Sequence, residues 1–124
     1  MSETGKIQSY RDLRVWQKAR ELVLLTYKFS KKFPPDEQFA LTSQVRRAAI
    51  SITANLAEGY GRLSQKDREH FYVMAQGSLY ELDSHFQIAA DLNFISPVDY
   101  KKFIETQTDC LRMLRAFLKT HRSR

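Results

Sequence analysis

The sequence predicts an all-α protein, an antiparallel up-down-up-down four-helix bundle. Three observations lead there. Apolar residues recur every three or four positions through four segments of about 20–28 residues, the period of one helix face. Strong breakers separate those segments: Pro34-Pro35, Gly59 with Gly61, and Asn93-Phe94-Ile95-Ser96-Pro97. No Asn-Gly or Asp-Gly pair occurs, and no alternating run is long enough to compete as a strand.

The first helix is expected over 12–32. Leu13, Trp16, Arg20, Val23 and Tyr27 advance by three or four, with Leu22, Leu25 and Phe29 on a neighbouring face. Lys31 and Lys32 suit the negative end of the helix dipole, and Pro34-Pro35 stops the helix. The second helix is expected over 36–59, with Asp36 and Glu37 at its positive end and Gly59 as its C-terminal cap. Its seam reads Leu41, Val45, Ala48, Ile52, Leu56. The third starts after Ser64, an N-cap with Asp67 three residues on, and runs to about Leu92. Phe71, Ala75, Ser78, Leu82, Phe86 and Ala89 form its expected seam, with Tyr72, Leu79 and Tyr80 on another face. The fourth has Ser96 as N-cap and Pro97 at its first position. Tyr100, Phe103, Gln107, Cys110, Leu114 and Phe117 are its seam, and fraying is expected after Lys119.

At 124 residues, with 43% apolar and 27% charged residues, the chain fits one globular domain. That domain is expected over 1–124, with a core over about 10–119 and a basic tail at 120–124. The single cysteine, Cys110, excludes an internal disulfide and a four-thiolate zinc site, and its apolar face makes it an inert core residue. No stretch approaches the roughly 20 apolar residues that cross a bilayer. Met1-Ser2-Glu3-Thr4-Gly5-Lys6 lacks the apolar core of a signal peptide, so a cytoplasmic protein with no membrane partner is expected.

One buried stripe per helix suffices for a lone bundle. The extra apolar residues Leu22, Leu25, Phe29, Tyr72, Leu79 and Tyr80 either cover short loops and widen the core or predict association of identical copies, and the second reading is preferred.

The balance of 20 Lys+Arg against 14 Asp+Glu, a net +6, favours an anionic partner. The charge is uneven. Residues 81–109 hold six acids and two lysines, whereas 110–124 hold Arg112, Arg115, Lys119, Arg122 and Arg124 with no acid. The first four of these step by three or four along one face of an extended fourth helix. Such a face fits a solvated helix end or a track for phosphates, and summation over an oligomer favours nucleic acid.

A polar stripe on the second helix, Gln44, Arg47, Ser51, Asn55 and Glu58, lies beside the apolar seam. It fits a ligand pocket or a hydrogen-bonded network that fixes helix register. The second reading is preferred, with Ser78, Glu81 or His85 of the third helix as partners. Metal chemistry lacks its ligands: no Glu-x-x-His occurs, and Glu81 with His85 makes only two. Neither a metal nor a cofactor is expected. Arg115 and His121 loosely match a helical-ribonuclease spacing, but a fraying tail is a poor place for catalysis. No catalytic residue is assigned, and no phosphate-loop or nucleophile-elbow motif occurs.

The run Leu41-Thr42-Ser43-Gln44-Val45-Arg46-Arg47-Ala48-Ala49-Ile50-Ser51-Ile52-Thr53-Ala54-Asn55-Leu56-Ala57-Glu58-Gly59 resembles the signature of a known family. These are the four-helix-bundle proteins encoded in intervening sequences of bacterial 23S ribosomal RNA genes. Asp12-Leu13-Arg14-Val15-Trp16-Gln17-Lys18-Ala19, Phe33-Pro34-Pro35-Asp36-Glu37 and Ala75-Gln76-Gly77-Ser78-Leu79-Tyr80-Glu81-Leu82 agree with it. The resemblance covers about residues 10–118. It implies an antiparallel four-helix bundle assembled as a ring-shaped homopentamer, with no established enzymatic activity or cofactor. It also implies kinship with the accessory variability proteins of diversity-generating retroelements, which bind nucleic acid and a reverse transcriptase. The family's polar positions fall on Gln44, Arg47, Ser51, Asn55, Glu58, Gly59, Gly77, Ser78 and Glu81. Two expectations follow: a non-enzymatic pentamer that binds structured RNA or DNA through basic surface, or an adaptor for another, nucleic-acid-associated protein.

Overall fold

A computed structural model describes residues 6–122. Four helices occupy most of that length: α1 Arg14–Ser30, α2 Leu41–Tyr60, α3 Gln65–Asp91 and α4 Pro97–Arg122. Among the described residues there is no strand. Each helix packs on its sequence neighbours, α1 closes the square against α4, and the backbones of the diagonal pairs stay farther apart. Short connections force antiparallel neighbours, so the arrangement is the expected up-down-up-down bundle.

Local chemistry sets the ends. Ser9 opens a 3-10 turn, Tyr10–Asp12, before α1. Its Oγ accepts the Arg11 N–H at 3.2 Å, and the Asp12 carboxylate accepts the N–H groups of Gln8 and Ser9. Ser64 Oγ accepts the Asp67 N–H at 3.1 Å, and Ser96 Oγ accepts that of Asp99 at 3.1 Å, both as expected. Asn93 takes the left-handed conformation at φ 61° and ends α3.

Several boundaries differ from the sequence reading. The first helix is shorter at both ends. The second begins at Leu41 rather than 36, because Pro35–Glu37 forms a separate 3-10 turn. Glu37 still serves α2, its carboxylate accepting the Leu41 N–H at 3.2 Å from outside the helix. The α2 cap is Gly61, whose N–H donates to the Ala57 and Glu58 carbonyls. Gly59 lies within the helix and is buried. A Cβ there would sit 2.6 Å from the Tyr72 ring, so the glycine's role is to admit that ring against the α2 backbone.

The buried stripes of α1 and α3 are also rotated from those expected. In α1 the core residues are Val15, Ala19, Leu22, Thr26 and Phe29, while Arg20 and Tyr27 are exposed. In α3 they are Tyr72, Ala75, Leu79, Leu82, Phe86 and Ala89, and Phe71 and Ser78 sit at the edge. Both helices carry two overlapping apolar stripes. In α1 the buried stripe is the one whose small member, Ala19, allows close approach of a neighbouring helix, and in α3 the two stripes share Ala75, Leu82, Phe86 and Ala89 and differ in burying Tyr72 and Leu79 in place of Phe71 and Ser78. Leu22, Phe29, Tyr72 and Leu79 are thus core and not surplus, which removes them from the grounds for association.

Two aromatic clusters close the ends. At one, Phe33 meets Phe86 and Phe94, and Phe86 stacks on Phe103 at 4.0 Å between centroids. At the other, Tyr72 meets Phe117 at 4.8 Å and His121 at 5.4 Å. Here α4 does not fray after Lys119 but continues through Arg122. His121 is buried, its Nε2 lies 3.2 Å from the Gln65 carbonyl, and Gln65 Nε2 donates back to the His121 carbonyl at 2.9 Å. The Gln65 side chain thereby satisfies one of the open carbonyls at the end of α4, and the imidazole ties that end to the start of α3.

Gly59→Ala should destabilise the fold by about 1–3 kcal/mol, the usual cost of overpacking a filled core. A chemical-denaturation midpoint unchanged from the parent would show that Tyr72 yields freely.

Candidate functional site

The four helices alternate in direction. One end of the bundle is therefore built from the start of α1, the end of α2, the start of α3 and the end of α4. Dividing the helices at their midpoints separates the charge sharply. The end formed by 6–22, 51–78 and 110–122 carries 12 Lys+Arg and 5 Asp+Glu. The opposite end, 23–50 and 79–109, carries 7 and 8. All of the net positive charge of the described chain resides at the first end.

The α4 residues singled out from sequence lie there. Arg115, Lys119 and Arg122, with Gln76 and Leu118, rim a shallow depression of about 400 Å³ between α3 and α4. Arg115 donates to the Tyr80 hydroxyl of α3 and lies 5.9 Å from that ring's centroid. Arg122 pairs with Glu69 at 3.3 Å, which tethers one cation of the rim to α3. Arg112 is exposed and pairs with Asp109 along α4 at 3.2 Å, outside the depression. Arg124 lies outside the described residues.

Sequence reasoning missed the contribution of other elements. Arg11, Arg14, Arg62, Lys66 and Arg68 join the same end from α1, the α2–α3 turn and α3. The Arg62 guanidinium sits 4.7 Å above the Phe71 ring and pairs with Glu58 at 2.8 Å. Arg68 Nη1 donates to the Arg62 and Leu63 carbonyls at 3.1 and 2.7 Å, which fixes the turn. The signal that would have found them is the antiparallel pairing itself, which brings 6–22 and 51–78 beside 110–122.

The polar stripe on α2 resolves into a smaller unit. Ser51 Oγ and Ser78 Oγ lie 2.7 Å apart across α2 and α3. Asn55 Nδ2 donates to the Ser51 carbonyl at 2.9 Å and to its Oγ at 3.0 Å. These three groups join the helices as a register-fixing network would. Glu58 pairs instead with Arg62 on its own side, and Glu81 with His85 one turn along α3 at 3.1 Å. Gln44 is half-buried and Arg47 exposed.

Arg115 and His121 do not converge. Arg115 points to Tyr80 while His121 is buried against Tyr72 and Gln65. Cys110 is fully buried in the core, and burial pushes its thiol up to about 12. Among the described residues no group of three His, Cys, Asp or Glu could hold a metal ion. Among them too, no helix is long and apolar enough to cross a membrane.

A model of the family described as 23S rRNA-intervening sequence protein matches residues 11–116. The crystal structure of a protein with unknown function from the S23 ribosomal protein family of Bacteroides thetaiotaomicron superposes on the chain with a TM-score of 0.76. The two are 21% identical, and the match covers 85% of this chain and 98% of that one. At that identity the likeness establishes the fold. A search of curated proteins finds no match.

Cys110 should resist alkylation in the native protein between pH 7 and 9 and react fully once the chain is denatured. Its folded pKa is raised, so the stability it contributes is present below the unfolded value and falls as pH rises from about 9 towards about 12. Rapid native labelling at pH 8 would contradict this environment.

Proposed function

This chain belongs to the 23S rRNA-intervening sequence protein family, and from that premise we propose that it is a non-enzymatic, self-associating protein that binds structured RNA or DNA. The observation that carries the reading is the charge polarity, with 12 cations against 5 anions at one end and 7 against 8 at the other. A phosphate backbone is the repeating anion such a surface fits, and its binding is driven by release of counterions. Arg115, Lys119 and Arg122 supply part of the contact around their shared depression. Arg112, exposed on the same helix, extends it.

Association belongs to the same reading. After Leu22, Phe29, Tyr72 and Leu79 are assigned to the core, a different apolar set remains outside. Ile50 on α2, with Val73, Met74 and Ile88 on α3, is between 41% and 48% exposed. Amid these lies Gly77, where an added Cβ would meet nothing within 4 Å. A mid-helix glycine with open space around it costs roughly 1 kcal/mol against alanine. Close approach of a second copy's backbone would offset that cost. In a ring of five copies, the number that the sequence resemblance implies, the charge would sum to about +30.

The observation favouring an adaptor for another protein is the same apolar face. Binding measurements separate the two readings.

Affinity for a structured ribosomal RNA fragment should fall steeply between about 50 and 200 mM salt. Combined Arg112→Glu, Arg115→Glu and Lys119→Glu should weaken binding at least about tenfold and flatten the salt dependence. Lys28→Glu with Lys101→Glu and Lys102→Glu, three exposed positions at the opposite end, is the matched control and should change affinity far less. Equal losses from both sets would assign the attraction to overall charge and sink the polarity argument.

Gly77→Leu should leave the monomer folded, since the added side chain meets open space, yet shift sedimentation velocity to smaller species. An unchanged sedimentation profile would remove this face from the interface.

A further inference from the structure

Two exposed stripes run along diagonally opposed helices. On α1 the stripe is Arg20, Leu24, Tyr27 and Lys31; on α3 it is Met74, Gly77, Glu81, Ser84, Ile88 and Asp91. Steps of three and four alternate through both, the spacing of a seam that packs along a second helix. Neither stripe gives a residue to the core, yet each holds apolar side chains, with Leu24 54% and Ile88 48% exposed.

Charge distinguishes the two. Arg20 and Lys31 bracket the α1 stripe, and their side chains have no partner among the described residues. Glu21, the one acid of α1, is held by Lys18 at 3.0 Å. On α3 the stretch 70–92 holds Glu81, Asp83 and Asp91 and no Lys or Arg. Glu81 meets His85 through Oε2, and Asp91 accepts from Gln87 through Oδ1, so each engages one carboxylate oxygen only.

The spacings match as well. Arg20 and Lys31 stand about 16 Å apart along α1, and Glu81 and Asp91 about 15 Å apart along α3. The alternating bundle points α1 and α3 the same way, so two copies side by side in parallel can lay one stripe along the other in register. A two-fold pairing would instead set α1 on α1, cations facing cations, or α3 on α3, acids facing acids. Both stripes border α2. Tyr27 carries the Arg46 guanidinium of α2 4.8 Å from its ring centre, and Ser78, beside Gly77, meets Ser51 of α2. The two faces therefore stand at an angle on the bundle, and a row of copies turns into a closed path.

We propose that the α1 stripe of one copy docks in parallel along the α3 stripe of the next, with Arg20 at Glu81 and Lys31 at Asp91. The proposal rests on the self-association reading above and names the two faces and their register. Exposed ion pairs add little affinity; here they select which faces meet, while Leu24, Tyr27 and Ile88 supply the apolar contact.

The test is sedimentation velocity of the full chain across a concentration series, with helicity followed by circular dichroism. Arg20→Glu with Lys31→Glu reverses one stripe, and Glu81→Lys with Asp91→Lys reverses the other. Each pair should raise the concentration needed for assembly at least about tenfold, because like charges then face each other. All four changes on one chain restore opposite charges, and assembly should return to within about threefold of the parent. Should a reversal unfold the chain, Arg20→Gln with Lys31→Gln and Glu81→Gln with Asp91→Asn remove the charges alone. Their losses, if the groups meet, should fall short of adding when combined.

A parent that assembles while both single-stripe reversals leave it unaffected would overturn this inference alone, leaving the stripes to a different protein. Reversals that each disrupt assembly but do not rescue one another would also overturn it, since the two stripes then do not meet. A parent that stays monomeric throughout the series would overturn the self-association reading itself.

Discussion

A tyrosine ring lying against a bare stretch of helix backbone holds the positive end of the bundle together. Tyr72 comes within 2.6 Å of where a Cβ on Gly59 would stand, so α2 and α3 can close only because that Cβ is missing. The same ring packs edge-on to Phe117 and His121. One side chain therefore joins three helices. His121 and Gln65 then exchange hydrogen bonds, which pins the last turn of α4 to the first turn of α3. Without that anchor the final basic turn would lose its helical spacing, and Arg115, Lys119 and Arg122 would no longer share one depression.

The helix count, the bundle architecture and the caps at Ser64 and Ser96 were legible in the sequence, because each depends on local chemistry. The choice of buried face was not. Arg20 and Tyr27 lie on a stripe of α1 with good periodicity, yet that stripe is outside, because Ala19 and Thr26 offer the closer fit to neighbours. Likewise Gly59 reads as a terminator one residue before an aromatic, and its purpose emerges only when Tyr72 is placed over it. Periodicity finds an apolar face but cannot rank two overlapping ones. That ranking depends on side-chain volumes contributed by other helices.

For the candidate site, the row on α4 was visible because three- and four-residue steps mark one helix face. The assembled end was not, because its members are scattered over 6–22, 51–78 and 110–122. Arg14 and Arg68 are 54 positions apart in sequence and border one cavity. The polar stripe shows the converse. Regular spacing drew Gln44, Arg47 and Glu58 into one group with Ser51 and Asn55. Only the latter two join the link across to Ser78.

Side chains, not backbone dipoles, create the polarity, since antiparallel helices place two positive and two negative termini at each end and their dipoles offset. The 27 residues of α3 span about 40 Å, against a screening length of about 8 Å in physiological salt. The nearly neutral far end therefore cannot weaken the field at the charged one. Symmetry extends the same logic to an assembly. Rotation about a cyclic axis carries each end onto the equivalent end of the next copy, so a ring whose bundles run along its axis sums its cationic ends on one side. A dihedral arrangement would turn half of them the other way and halve the charge on any face. Polarity within one subunit thus gives a closed ring an advantage for holding a long polyanion that a larger but evenly charged bundle would lack.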